Sequence, residues 1–261
     1  MRPIRLAVQI TPQHADYPAL RRASVEAEEI GLDIVYNYDH FFPLGGDPNG
    51  KHFECWTMLA SLAEVTRRVE IGPLVTCNSY RNPNLLADMV RTVDHISGGR
   101  VILGIGSGWF ERDYQEFGYP FGTAADRLRH LAVNLPVIVT RLAKGNPPPQ
   151  RRVPILVGGG GEKVTLRIAA QHADIWHGFG SVEEWRHKNG VLDSWCVRVG
   201  RDPGEIERSG AVGRAHFSDP GHGDALVKAG ASQLTFGLSG PTFDLAFLRE
   251  WVAWRDQRNR G

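Results

Sequence analysis

Four glycines in a row, Gly158 to Gly161, follow the apolar run Ile155-Leu156-Val157 and precede a segment of helical period. Glycine has no Cβ, so its backbone amides can approach a ligand closely. A helix reading from Glu162 would add free amides and the positive end of its dipole. Together these make an anion site, most often for phosphate. The plainer alternative is a tight turn in which glycine only relieves strain. One or two glycines would serve for that, and four weigh against it. "GIGSG", with Gly106-Ser107-Gly108, is a weaker case, because its glycines equally allow close strand–helix packing.

Asp39-His40 is the second constellation. Histidine suits proton transfer near neutral pH, and an adjacent carboxylate can orient or charge it. Asp and His are also common in surface turns, so the pair alone is evenly balanced. Its aromatic setting, "YNYDHFFP", favours the lip of a pocket. Trp109 and Trp176 are placed where they could wall a flat cofactor, although core packing is the safer reading for Trp176. The remaining tryptophans read as helix packing, and His52, His95, His130 and His187 as loop or helix-face residues without a role.

The elements that must carry these residues alternate from end to end. Strand–helix pairs read as Ile4–Gln9 with Tyr17–Ile30, Ile34–Asn37 with Cys55–Thr66, Val69–Thr76 with Asn84–Ile96, and Val101–Ile105 with Ala124–Leu142. Four more follow: Ile155–Val157 with Glu162–His172, Ile175–His177 with Val182–Val199, Ile206–Val212 with Gly223–Ala229, and Leu234–Gly237 with Phe243–Gln257. Gly31 and Gly98-Gly99 stop helices. Pro136 should kink its helix or end a piece of it. Eight such pairs in about 250 residues match a (β/α)8 TIM barrel of one domain. Continuous apolar strands such as "VILGI" and "PILV" fit a parallel sheet buried on both faces. A doubly wound sheet would usually carry its glycine-rich turn after the first strand, and Gln9-Ile10-Thr11-Pro12 has none. In a barrel, function sits at the C-terminal ends of strands. Gln9, Asp39-His40, Thr76 to Asn78, Gly106 to Trp109, Gly158 to Gly161 and Trp176-His177 all fall there.

Bulk properties narrow the classes. The chain has 261 residues, 42% of them hydrophobic, and a formal net charge of +1. No basic run suggests nucleic acid. The three cysteines are too widely spaced for a disulfide framework or a CxxC metal pair, which fits a reducing cytosol. "MRPIRLAVQIT" is not a signal peptide and no stretch is long enough to span a bilayer, so the chain reads as cytoplasmic. Metal-dependent barrel hydrolases need a His pair after strand one, where Gln9-Ile10-Thr11 stands. None of the five lysines falls at a strand end for Schiff-base chemistry. Asp39 and Glu111 are the only carboxylates for a glycosidase pair, and Glu111 lies beyond the strand. No side-chain set dominates, which points to a cofactor carrying the hard chemistry. No metal is expected.

"YDHFFP", "IGPLVTCNSYRNP", "ISGGRVILGIGSGWFERDYQEFGYPF" and "VPILVGGGGEKVTLRIAAQHADIW" together resemble the luciferase-like monooxygenase superfamily. The branch they most resemble is that of coenzyme F420-dependent oxidoreductases. The resemblance runs from residue 1 to about residue 180 and is specific as a series. It implies a homodimeric barrel with a deazaflavin or flavin over its C-terminal mouth. It also implies a bulge in strand three, often with a non-proline cis peptide, which would fall around Pro73 to Val75. Asp39, Leu74, Val75, Thr76, Ser107, Gly108, the glycines Gly158, Gly159, Gly160 and Gly161, and His177 match cofactor-contact positions. The glycine turn would hold the cofactor phosphate. His40 matches a proton donor, and Gln9 and Trp109 fall at the substrate pocket. The implied partner is a small organic substrate, and the implied reaction is hydride transfer.

Three departures limit the likeness. The sugar-phosphate dehydrogenase branch has a catalytic glutamate where Trp109 stands, so that activity is not expected. The connector before strand five is short, which leaves the pocket open or closes it with "FFPLGGDPNGKHF". His177 stands where many relatives have Asn. FMN-dependent oxygen chemistry is the runner-up reading, and a non-catalytic flavin-binding protein or a sugar-phosphate-binding barrel of another superfamily are further alternatives.

Overall fold

The computed structural model describes residues 2–260. Its strands are β1 (Arg5–Ile10), β2 (Ile34–Asn37), β3 (Glu70–Pro73), β4 (Thr76–Cys77), β5 (Leu103–Gly106), β6 (Ile155–Gly158), β7 (Ile175–Gly178), β8 (Glu207–Val212) and β9 (Gln233–Leu238). Its helices are α1 (Tyr17–Ile30), α2 (Cys55–Val65), α3 (Pro83–Ser97), α4 (Glu111–Phe117), α5 (Ala124–Ala143), α6 (Thr165–His172), α7 (Val182–Val199), α8 (Pro220–Lys228) and α9 (Leu248–Asn259). Neighbouring strands run parallel in the order β3-β2-β1-β9-β8-β7-β6-β5-β4. β3 and β4 are two halves of one strand. β3 pairs with β2, and β4 pairs with β5. A parallel bridge between Ile71 and Val101 closes the ring. The architecture is the (β/α)8 barrel that the alternation of elements predicts.

The break in the third strand lies at Leu74-Val75, whose peptide bond is cis. The strand read as continuous over Val69–Thr76 is therefore interrupted there. Neighbours make room for the bulge. A Cβ on Gly104 would sit 1.9 Å from the Pro73 carbonyl oxygen, and one on Gly106 would sit 2.8 Å from Val75 Cγ2. That is why the apolar fourth strand is interleaved with glycine.

Side chains alternate as a parallel barrel requires. Leu6, Val8, Ile10, Leu103 and Ile105 face the helices, while Ala7, Ile34, Tyr36, Ile102, Leu156 and Ile175 fill the interior. At the N-terminal end Arg5 is shared by Glu207, at 2.6 Å, and Glu70. With that end plugged and the middle filled, the C-terminal mouth is where an interior cavity can open.

Several helices differ from the sequence reading, among them α9, expected from Phe243 and observed from Leu248. The helix expected from Glu162 begins at Thr165, and Glu162 to Val164 form a turn. Glu162 is drawn outward: Trp195 Nε1 donates to its carbonyl at 2.7 Å, and Lys188 pairs with its carboxylate at 2.5 Å. α4 has no counterpart in the sequence pattern, since two turns of charged residues carry little periodic signal. Pro136 does not divide α5, which runs unbroken from Ala124 to Ala143. The proline lies on the exposed face, where water can serve the carbonyl it leaves unpaired.

Candidate active site

A cavity of about 530 Å3 opens at the C-terminal mouth. Of the site residues expected from sequence, Gln9, Asp39, His40, Leu74, Val75, Thr76, Ser107, Gly108, Trp109, Gly158 and Gly159 line it. Gly160 and Gly161 continue the turn at its rim. His177 does not line it. Its side chain is buried, with Nδ1 2.8 Å from Ser209 Oγ, and burial holds the imidazole down to about 3. Its contribution to the mouth is its backbone carbonyl, which accepts from Gly159 N at 3.1 Å.

His40 is buried between rings. Tyr38, Trp109 and Phe110 meet it edge-on at 5.2, 5.8 and 5.5 Å between centroids. Its Nδ1 lies 2.7 Å from Oδ2 of Asp113, a fully buried residue on α4. Asp113 also accepts from the Tyr80 hydroxyl at 2.8 Å and from the Phe41 amide at 3.1 Å. Burial, with Cys77 and Asp113 nearby, pushes the Tyr80 phenol well above its ordinary 10, so it stays protonated and donates. An ionised carboxylate acts only as an acceptor, as Asp113 does toward Tyr80 and Phe41. Nδ1 of His40 therefore carries a proton toward Asp113, and Nε2 is the nitrogen turned away from it. The pair sits against an aromatic cluster of Tyr80, Tyr114, Phe41, Tyr119 and Phe121.

Asp39 is tied into the scaffold. Its carboxylate accepts from Thr76 Oγ1 at 2.5 Å, from Cys77 N at 3.1 Å, and from both terminal nitrogens of Arg81 at 2.6 and 3.0 Å. Thr76 in turn accepts from Trp56 Nε1 at 3.0 Å. This network fixes β4 against the end of β2. Gln9 Nε2 donates to the Leu74 carbonyl at 2.5 Å and holds the bulge from the other side. Burial pushes the Cys77 thiol up to about 11, so it is no nucleophile near neutral pH.

The glycine turn is held open by its carbonyls. Trp176 Nε1 donates to Gly159 O at 2.8 Å, and Leu166 N to Gly161 O at 3.0 Å. Among the described residues, the amides of Gly160 and Gly161 have no partner in the chain. Gly159 has φ +125°, a conformation open to glycine and costly for other residues. The loop after β2 folds over the mouth and brings Leu44 to the cavity. It is anchored by Gln13 Oε1, which accepts from Leu44 N at 2.9 Å and from the Tyr38 hydroxyl, and by Arg112, which donates to the Pro48 carbonyl at 2.6 Å.

Asp113, Tyr80, Arg81 and Tyr38 were not singled out from sequence. Asp113 lies inside "ERDYQEF", where one acid among several charged residues reads as surface. His52, read as having no role, stands 5.8 Å from Tyr38, and burial, then His40, holds it down to about 4.

The chain belongs to the luciferase-like monooxygenase family, whose model matches residues 1–219. It is 43% identical over 88 residues to an F420-dependent glucose-6-phosphate dehydrogenase of Amycolatopsis mediterranei, a match that spans 33% of this chain and 26% of that protein. Its fold is similar to that of an F420-dependent secondary alcohol dehydrogenase solved with an F420–acetone adduct. The TM-score is 0.86 at 15% identity, over 97% of this chain and 99% of the other. It is also similar to the FMN-bound oxygenating constituent of 3,6-diketocamphane monooxygenase from Pseudomonas putida. There the TM-score is 0.65 at 14% identity, over 80% of this chain and 67% of the other. Among the described residues no helix is long and apolar enough to cross a membrane.

Proposed function

We propose that this chain is an F420-dependent oxidoreductase that exchanges a hydride between the deazaflavin and a small organic substrate. The observation that carries the reading is His40, oriented by Asp113 at 2.7 Å, in the same cavity as the glycine turn. The residues fit the coenzyme. Gly160 and Gly161 offer unpartnered amides beside the start of α6, which suits a phosphate. Leu74, Val75, Thr76, Ser107 and Gly108 would hold the ring, and Asp39 sets the position of Thr76. When bound, the coenzyme supplies a two-electron hydride carrier.

The chain's own residues do the rest. Nε2 of His40 takes the proton from an alcohol as it is oxidised, or gives one to a carbonyl oxygen as it is reduced. Asp113 holds a proton on Nδ1, so that Nε2 accepts a proton when the ring is neutral and gives one when the ring is doubly protonated. The aromatic wall excludes water from the reacting centre, and the rigid bulge limits the ways a substrate can lie. A buried general acid–base of this kind contributes roughly 10²–10⁴ in rate.

The same reading has the chain working in the cytoplasm as a homodimer, and light scattering of the purified protein tests the dimer. Bleaching of the oxidised deazaflavin's visible absorbance by a small alcohol, lost in His40→Gln, tests the activity. An FMN-dependent monooxygenase is the second reading, supported by the fold likeness to the FMN-bound camphane enzyme. It predicts oxygen uptake with reduced FMN and no dependence on F420.

A further inference from the structure

We infer that the second substrate of this site is a small, uncharged, mainly apolar carbonyl compound or its alcohol, and that Trp109 is the side chain that selects it. The inference rests on the proposed reading of His40 as the group that moves the proton.

A substrate oxygen that exchanges a proton with His40 must come within about 3 Å of Nε2. Trp109 already packs edge-on against that ring at 5.8 Å. Whatever reaches His40 therefore lies against the indole. Trp109 is 63% exposed although it lines the cavity. Phe179 and Leu44, from two other strand-end loops, line the same cavity at 60% and 38% exposure. Three large apolar side chains left open around one mouth mark a site that gains by being covered with apolar surface.

Charge argues the same way. Among the described residues no lysine or arginine lines the cavity. The nearby arginines are engaged elsewhere. Arg81 is bound to Asp39 and Glu54, each at 2.6 Å. Arg112 donates to the Pro48 carbonyl and covers the Phe42 ring at 4.0 Å. Arg127 donates to the Gly108 carbonyl at 3.0 Å and covers the Phe121 ring at 3.9 Å. A phosphorylated substrate at His40 would lose its hydration and find no lysine or arginine to pair with its charge. The glycine turn offers free amides to an anion, and on the proposed reading the coenzyme phosphate takes it.

The step balances with these groups. In the reducing direction the carbonyl carbon receives a hydride from the reduced deazaflavin as the C=O π bond opens. The carbonyl oxygen takes the proton from Nε2 of His40 in its doubly protonated form, which leaves the ring neutral with its proton on Nδ1. An alcohol leaves, the deazaflavin is left oxidised, and the imidazole recovers its proton from solvent.

The test is equilibrium binding to the protein loaded with reduced F420, which cannot take a hydride from an alcohol, using cyclohexanol and cyclohexyl phosphate as a matched pair. Calorimetry should show the alcohol binding at least about tenfold tighter than the phosphate ester, the difference one lost interaction of this kind makes. Trp109→Ala should weaken the alcohol by about tenfold, and Trp109→Phe should recover most of that loss. F420 affinity, measured on each variant, separates a damaged fold from a lost substrate contact. Equal or tighter binding of the phosphate ester would overturn the inference. So would alcohol binding indifferent to Trp109→Ala, or a loaded protein that binds neither. Failure of F420 itself to bind would instead sink the cofactor reading on which the inference stands.

Discussion

Asp113 Oδ2 lies 2.7 Å from Nδ1 of His40, across 73 residues of sequence. One group comes from the loop after β2 and the other from α4. Only closure of the barrel brings them together, and Tyr80 and the Phe41 amide hold the carboxylate in place from two further directions. Asp113→Asn should therefore slow hydride transfer by about 10–100-fold, with F420 affinity little changed. His40→Gln should cost roughly 10²–10⁴. Single-turnover absorbance changes, read beside an F420 titration of each variant, separate the two effects. A merely structural Asp113 would lose cofactor binding and turnover together.

The glycine turn gives a sharper test. A Cβ on Gly159 would lie 3.2 Å from Thr165 Cγ2, and the residue sits at φ +125°. Gly159→Val should weaken F420 by about tenfold or more, as expected for a lost charge-assisted contact. Binding of the deazaflavin core without its phosphate should hardly change. Parallel fluorescence titrations with the two ligands check this, and equal losses for both would remove the turn from its role.

Arg81 is the counter-ion of a fully buried carboxylate, with side-chain exposures of 10% for Arg81 and 0% for Asp39. Arg81→Met would strand Asp39 without its cation. Breaking a pair so buried typically costs about 3–5 kcal/mol. Urea denaturation at neutral pH should show that loss. A change near zero would mean that Asp39 is served by Thr76 and Cys77 alone.

Much of the site is legible in the sequence. Eight alternating pairs, and glycines at the ends of strands, place Asp39, His40, Ser107, Gly108 and Gly158 around one mouth, because a parallel barrel gathers strand ends. The break at Leu74-Val75 came from family resemblance, since no propensity in "GPLVT" signals it. Asp113 was hidden because its partner is distant in sequence and its neighbours are charged. The sequence pattern starts α6 three residues early, since the side chains that pull Glu162 outward, Lys188 and Trp195, come from another helix. His177 was legible as a strand-end residue, but whether its ring faces the mouth or the interior depends on register with Ser209 on β8.

That buried ring also sets an acid sensitivity. His177 is held from its ordinary 6.5 down to about 3 by burial. A histidine depressed in the folded state stabilises the fold above 6.5, and the contribution is lost as pH falls from there toward 3. Between pH 7 and pH 5 the loss is about 2 kcal/mol for one such group. His177→Asn should remove that part of the slope, while His52, held down to about 4, keeps its own share. Urea melts of both proteins at the two pH values decide it, and identical slopes would place the acid sensitivity elsewhere.

The most direct test of the account is a side-by-side fluorescence titration of the purified protein with F420 and with FMN. The account predicts saturable F420 binding at micromolar concentration or below, weakened when Gly159 and Gly160 are replaced by bulkier residues, and much weaker FMN binding. FMN binding without F420 binding would contradict it and move the chain to oxygen chemistry. Binding of neither would return the four glycines to a turn, or to some other phosphate.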